Sequence, residues 1–406
     1  MDFEDSQEEA AYRAEARGWL EANAAPFARR NAELKADPCA RLQVGKAWQA
    51  LKARAGYASI TLPREVGGGG GTPLHEVIYR QEEGRYGLPT DFFGIGLGMC
   101  IPTIVHRGTE AQRQRYVTNA IRGETVWCQL FSEPAAGSDL AGLRTRATRG
   151  GEGWVIEGQK VWTTVAHLAD FGIVLTRTDP TVPKHRGLTM FIVDMKTPGV
   201  DVRPIRQLSG ETEFNEVFFQ AVRVPDENRI GNVGDGWNVA LTTLMFERAS
   251  AGKGLGFAGS PEILRLARQV DLGSGPAIDD QRVRERIADM WINEQALRLL
   301  SARALTALSK GEVPGPEQSI NKLVEASHGQ QAAYIAMDLL GEAGALTHAE
   351  LGDDWRKIER SWTWGAAMRI AGGSDEILRN IIAERVLGLP GDIRPDKDIA
   401  FNQLSG

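Results

Sequence analysis

Cysteine is scarce. Cys39, Cys100 and Cys128 are the only three in 406 residues, and no two lie close together. An odd, scattered set excludes a disulfide-built scaffold and fits a reducing compartment. The six histidines, at 75, 106, 167, 185, 328 and 348, show no ligand spacing, so no metal site is expected. No apolar run approaches the ~20 residues that a membrane-spanning helix needs. The start, MDFEDSQEEA, is acidic and lacks the basic-then-apolar order of a secretion signal. Net charge is −6 with both signs interspersed, which leaves no basic footprint for nucleic acid. The remaining class is a globular chain with the cytoplasm as its default location. Its length suggests two or three structural domains and a core that needs no disulfides.

The pattern of the chain changes twice. Residues 1–124 read mostly as helices: Tyr12, Ala16, Trp19 and Leu20 recur at helical spacing over Glu8 to Ala22, and Ser6 with Glu9 forms a capping-box signature. The GGGGG run at 67–71, ahead of Thr72-Pro73, reads as a loop feeding a helix start. Over 125–236 short alternating runs take over, at Gly153–Glu157, Phe171–Arg177, Leu188–Met195 and Glu216–Arg223, as in a compact β-domain. Helical spacing returns over 237–406: Val283, Ile287, Met290 to Ile292 and Leu297 to Leu300 mark one long helix, with others at Tyr334–Leu340 and Glu376–Leu387. A helical, β, helical order is shared by several unrelated folds and does not by itself fix function.

Two segments of the β-region carry candidate chemistry. The first is Gln129-Leu130-Phe131-Ser132-Glu133-Pro134-Ala135-Ala136-Gly137-Ser138-Asp139. About twenty residues on comes Gly158-Gln159-Lys160-Val161-Trp162-Thr163-Thr164. Short hydroxyl side chains and a flat aromatic held on strands can meet the polar edge and the face of a flat ring. Alone, the first segment would be an ordinary turn cluster and Trp162 an ordinary core aromatic. The pair in register is more specific.

Together these segments resemble the two flavin-contacting signatures of the acyl-CoA dehydrogenase family. Pro198-Gly199-Val200, Phe218-Phe219, Val222 to Pro225, Gly236-Trp237 and Ile381 to Gly388 extend the likeness along nearly the whole chain. The resemblance implies an α+β multidomain fold: an N-terminal helical domain, a middle β-barrel-like domain and a C-terminal four-helix bundle. It implies FAD as cofactor, held by Gln129, Phe131, Ser132, Trp162, Thr163 and Thr164, with Ser374 and Glu376 on the ribose and adenine side. It further implies that Ser138 lies near the coenzyme A chain, that acyl-CoA is the substrate, and that an electron-transfer flavoprotein is the acceptor.

The family's usual base, a glutamate before a Gly-Ser or Gly-Thr pair, would stand at position 372, which here is Gly372. A minority of the family carries the base on the helix after the β-domain, directly before an arginine, and this chain has Glu247-Arg248 there. The resemblance therefore implies Glu247 as the catalytic base and Arg248 beside it on the substrate side. Gly372 would keep a backbone N–H for the thioester oxygen. At helical spacing Glu247 shares a face with Ala240, Thr243, Leu244, Ala251 and Gly254, small residues that leave room beside a carboxylate. Gly252, Gly254, Gly256 and Gly259 follow, and helix-interior glycines each cost about 1 kcal/mol, which suggests close approach to the backbone. The bland reading is a surface Glu-Arg pair. Asp375 and Glu376 are the rival bases.

Two family signatures are missing. The stretch matching Arg-x-x-Phe-Gly reads Arg268 to Pro276 without Phe-Gly, and the Gln-x-x-Gly-Gly loop reads Asp338-Leu339-Leu340-Gly341-Glu342. Both normally serve a neighbouring subunit's flavin diphosphate, which two new carboxylates would repel. The departure implies a second acyl-CoA dehydrogenase-like subunit in a heterotetramer, as in two-gene enzymes acting on bulky, branched or dicarboxylic acyl groups. Drift at tolerant positions is the plain alternative. A catalytically silent acyl-CoA-binding scaffold and an acyl-CoA oxidase-like flavoenzyme are the rival functions.

Overall fold

Ser6 Oγ accepts the Glu9 amide at 3.3 Å and Glu9 Oε2 accepts the Ser6 amide at 2.7 Å, closing the expected capping box. It opens helix α1 (Gln7–Glu33) of a computed structural model that describes residues 5–250, 257–309, 315–345 and 352–404. Helices α2 (Pro38–Ala55), α3 (Pro73–Glu83), α4 (Ile101–Arg107) and α5 (Glu110–Ile121) follow. Thr72 and His75 cap α3 in the same reciprocal way. The glycine run before it coils back on residues 59–63, and a Cβ at Gly68 would sit 2.2 Å from the Leu62 carbonyl oxygen. Only glycine permits that approach.

One eight-stranded sheet comes next: β1 (Trp127–Leu130), β2 (Arg146–Gly150), β3 (Gly153–Lys160), β4 (Phe171–Arg177), β5 (Leu188–Asp194), β6 (Val200–Pro204), β7 (Asn215–Pro225) and β8 (Arg229–Ile230). Its order is β6-β7-β3-β2-β4-β5-β8, with β1 added parallel to β4. The centres of β4 and β5, Ile173 to Leu175 and Met190 to Val193, are continuously apolar rather than alternating, and the structure shows why. Ile173, Leu175, Met190 and Ile192 face one core with α4 and α5, while Val174, Phe191 and Val193 face a second core with Trp154, Val217 and Phe219. Strands covered on both faces lose their polar alternation.

Helices α6 (Gly236–Ser250), α7 (Ser260–Gln269), α8 (Gln281–Ser309), α9 (Gln318–Leu340), α10 (Gly352–Met368) and α11 (Asp375–Ile381) complete the chain, α11 running on as a wider turn over Ile382–Val386. Packing groups the described residues into two units: 5–207, 211–247 and 394–404 in one, and those within 208–210 and 248–393 in the other. In the second unit Ile263, Val283, Ile287, Met290, Ile335, Trp355 and Ile358 form a helical core. Among the described residues no helix is long and apolar enough to cross a membrane, and no group of three or more His, Cys, Asp or Glu could hold a metal ion.

Candidate functional site

The two motif segments lie side by side. The Val161 amide donates to the Ser132 carbonyl at 2.9 Å, and the Lys160 ammonium donates to the Phe131 carbonyl at 2.9 Å. Gln129 and Phe131 sit at the end of β1, while Trp162, Thr163 and Thr164 leave β3. Phe131 and Thr163 are buried, Gln129, Ser132 and Thr164 half-buried, and Trp162 is 59% exposed.

Trp162 and Val165 both adopt left-handed backbone conformations, at φ 61° and 52°. Bulky and β-branched residues rarely do so, and each such position costs about 1–3 kcal/mol unless its surroundings dictate it. Here they do. The Thr163 amide donates to the Asn215 carbonyl at 3.0 Å, Asn215 Nδ2 donates to the Thr163 carbonyl at 2.9 Å, and the Val165 amide donates to the Glu213 carbonyl at 2.8 Å. Strand β7 and the residues before it thus clamp the turn, and Phe214 meets the indole edge-on at 6.1 Å. The result is a large flat apolar face held outward beside hydroxyls. Thr163 Oγ1 is buried with no protein partner. An exposed indole on a strained turn and an orphaned buried hydroxyl fit a planar, polar-edged ring such as a flavin.

Beneath this turn lies a pair that the sequence pattern alone did not single out. Lys160 is fully buried and meets Glu133 Oε1 at 2.8 Å. Glu133 also accepts the Arg144 amide at 2.7 Å and the Thr145 amide at 2.8 Å. Burial pushes the lysine down to about 8 against the pull of Glu133. Burial also pushes the Glu133 carboxyl up, but the Lys160 charge and the hydrogen bonds outweigh it, and the net shift is downward. A signal was available: Lys160 falls on the inward face of β3 with Trp154 and Ile156, and a charge there requires a partner.

Glu247 is half-buried on α6. One turn earlier, Thr243 Oγ1 accepts from Thr103 Oγ1 on α4 at 3.0 Å and donates to the Val239 carbonyl at 3.1 Å. Ala240 and Thr243 are fully buried. That part of the face is therefore spent on packing and does not form open space, contrary to the expectation from small side chains. The side chain of Arg248 lies outside the described residues, as do Ala251, Gly252, Gly254 and Gly256. Gly259 precedes α7 as its N-cap and is not interior to a helix.

Gly372, Ser374 and Glu376 belong to the other unit. Gly372 has φ 67°, so a glutamate there would be strained. Ser374 caps α11, accepting the Ile377 amide at 3.4 Å. Asp375, one rival base, is buried and bound by Arg369 at 2.5 Å, with its second oxygen unpartnered. Glu376 is exposed, and hydrogen bonds from its own amide and Ser374 hold its carboxyl below the usual range, which makes it a weak base. In the stretch lacking Phe-Gly, Asp271 Oδ1 accepts the Gly273 and Gly275 amides at 2.7 and 3.3 Å, closing a tight turn. Asp338 is paired with Arg286 at 2.9 Å. Ser138 is exposed on the loop after Glu133.

Three models of one family cover the chain: acyl-CoA dehydrogenase N-terminal domain over residues 6–124, middle domain over 128–222 and C-terminal domain over 234–387. The chain belongs to the acyl-CoA dehydrogenase family. Its members are flavoprotein oxidoreductases, and the α+β fold with helical, β-sheet and helical parts is theirs. Acyl-CoA dehydrogenase IpdE1 of Mycobacterium tuberculosis is 37% identical over 94% of this chain and 98% of its own. Acyl-CoA dehydrogenase FadE34 of the same organism is 40% identical over 80% of this chain, but the match spans only 43% of FadE34. Among solved structures, the Tcur3481-Tcur3483 steroid ACAD matches with a TM-score of 0.79 at 26% identity, over 97% of this chain and 100% of that one.

Proposed function

We propose that this acyl-CoA dehydrogenase removes hydrogen from Cα and Cβ of an acyl-CoA thioester to give the trans-2-enoyl-CoA. The observation that carries this reading is the clamped turn at 162–165, which spends backbone strain to hold the Trp162 face outward beside Ser132 and Thr164. Bound there, FAD would take the β-hydrogen with its electron pair. Gln129, Phe131, Ser132, Trp162, Thr163 and Thr164 would hold the ring, with Ser374 and Glu376 toward the ribose and adenine. Glu247 takes the α-proton as general base. It is half-buried on α6, on a helix face shared with Ala240, Thr243 and Leu244. The Gly372 N–H donates to the thioester oxygen, where negative charge grows as the α-proton leaves. Ser138 meets the coenzyme A chain, and Arg248 supports the substrate side.

The working enzyme would be a heterotetramer of this chain, organised as 1–124, 125–236 and 237–406, with a second acyl-CoA dehydrogenase-like chain, and would pass electrons to an electron-transfer flavoprotein in the cytoplasm. The turn at 271–276 and the Arg286–Asp338 pair support this, since they occupy the two stretches that depart from the signatures implied to serve a neighbour's flavin diphosphate. So does FadE34, whose chain is more than twice the length that this protein matches, and a solved enzyme whose name pairs two proteins. That name, steroid ACAD, favours a bulky acyl group.

The test is anaerobic bleaching of purified, flavin-loaded complex by a panel of acyl-CoAs. Glu247→Gln should slow bleaching by roughly 10²–10⁴-fold, and bleaching at the wild-type rate would rule out Glu247. A fully flavin-loaded, active homotetramer from this chain alone would rule out the second subunit.

A further inference from the structure

The loop carrying Ser138 is held from outside as well as from its base. Glu133 closes the base through the Arg144 and Thr145 amides. Leu140, Ala141 and Leu143 anchor the far limb in the core, while Gly137, Ser138 and Asp139 stay exposed on the rim. Arg177, at the end of β4, grips that limb: Nη2 donates to the Ala141 carbonyl at 2.5 Å and Nε to the Leu143 carbonyl at 3.1 Å, while Nη1 donates to the Lys184 carbonyl at 3.1 Å. Arg177 is only 4% exposed. Its three side-chain bonds go to neutral carbonyls, and Phe401 lies 3.5 Å from the guanidinium carbon, ring centre to cation.

Phe401 comes from the strap of residues 394–404, which belongs to the same unit. Its amide donates to the Val182 carbonyl at 3.0 Å, the Asn402 amide donates to the Pro180 carbonyl at 2.9 Å, and Ala400 bridges to Pro183. The strap therefore pairs with the connection between β4 and β5. From that connection Lys184 reaches Asp396 on the strap at 3.1 Å and Asp139 on the loop rim at 3.0 Å. Asp139, Lys184, Asp396, Ile399, Gln403 and Leu404 line an open hollow of about 390 Å³ between the loop rim and the strap.

We infer that Arg177 is a positioning residue for the 134–143 loop, and that the strap, through Phe401 on Arg177 and Asp396 on Lys184, holds that loop in its coenzyme A-binding shape. The inference rests on the proposed role of Ser138. A buried guanidinium bonded only to carbonyls needs its remaining face covered, and an aromatic ring does this without drawing the cation away from the loop. Removing the ring admits water to Arg177 and weakens its hold on Ala141 and Leu143.

The test uses the flavin-loaded complex with three variants: Phe401→Leu, which keeps apolar bulk but not the π face, Phe401→Trp, which restores it, and Asp396→Asn. Amide hydrogen exchange over 137–143 and the dissociation constant for free coenzyme A are measured on each. For Phe401→Leu, both should rise by roughly tenfold, Phe401→Trp should bring both back, and Asp396→Asn should give a smaller rise. The flavin spectrum and flavin content should not change. A lower unfolding temperature with unchanged exchange over 137–143 would reduce the strap to general support and overturn the inference. Faster exchange with unchanged coenzyme A affinity would overturn its link to substrate. If the wild type itself binds no coenzyme A, the proposed function fails, and the exchange measurement still decides whether the strap holds the loop.

Discussion

The Lys160 ammonium lies 2.8 Å from Glu133 Oε1 and 2.9 Å from the Phe131 carbonyl, so one fully buried cation ties the 129–133 segment to the turn that follows β3. Replacing it with methionine would leave Glu133 buried without its cationic partner. Breaking such a pair from one side costs about 3–5 kcal/mol. Lys160→Met should lower unfolding free energy by about that amount in denaturant titrations, and Lys160→Met with Glu133→Gln should lose much less.

The same lysine makes stability depend on pH. Its folded value, about 8, lies below its ordinary value of 10.5. Between those limits the unfolded chain binds the proton more readily than the folded one, so this group's contribution rises with pH. At and below pH 8 the full cost of burying the charge is present. The wild type should therefore gain stability relative to Lys160→Met as pH rises from 8 to 10.5, followed by chemical denaturation of both proteins across that window.

Trp162 is strained and largely exposed, so it adds little to the core. Trp162→Gly relieves about 1–2 kcal/mol of left-handed backbone strain and returns up to about 1 kcal/mol of that as chain entropy. The flavin-free protein should be as stable as the wild type or slightly more so in thermal unfolding. Flavin retention after dialysis should fall sharply.

Asp375→Asn separates the rival bases. Arg369 loses a buried charged partner at 2.5 Å, and helix α11 loses one of the two acids, Asp375 and Glu376, in its first turn. Stability should drop by about 2–3 kcal/mol. The rate of flavin bleaching by acyl-CoA should fall far less than with Glu247→Gln, as stopped-flow absorbance would show.

The Thr103–Thr243 bond joins α4 to α6 one turn before Glu247. If the partner is lost, Thr103 Oγ1 can give its one proton to the Met99 carbonyl, 2.8 Å away, instead. Thr243→Val should therefore cost only about 1 kcal/mol in unfolding free energy. Any larger loss in bleaching rate would report on the setting of α6.

Much of the fold was legible because its signals are local. Ser6 with Glu9, the 67–71 glycines before Thr72-Pro73, and the spacing of Val283, Ile287 and Met290 each act within a turn or two of chain. The candidate site was legible in part, through the order of residues in two short motifs. It was less legible on α6, where small residues at 240 and 243 suggested space and proved to be a tight contact with α4. Spacing reveals which residues share a face, but not what packs against it.

The sequence by itself determined the family, the succession of helical, strand and helical regions, and the vacancy of a carboxylate at Gly372. Tertiary structure alone decided that Glu133 would be the partner of Lys160, that Trp162 would be forced into a left-handed turn, and that Phe401 would cover Arg177. Each of these depends on groups brought together from distant parts of the chain, where the energy comes from excluding water around charge and ring. Local sequence carries no record of which segments will meet.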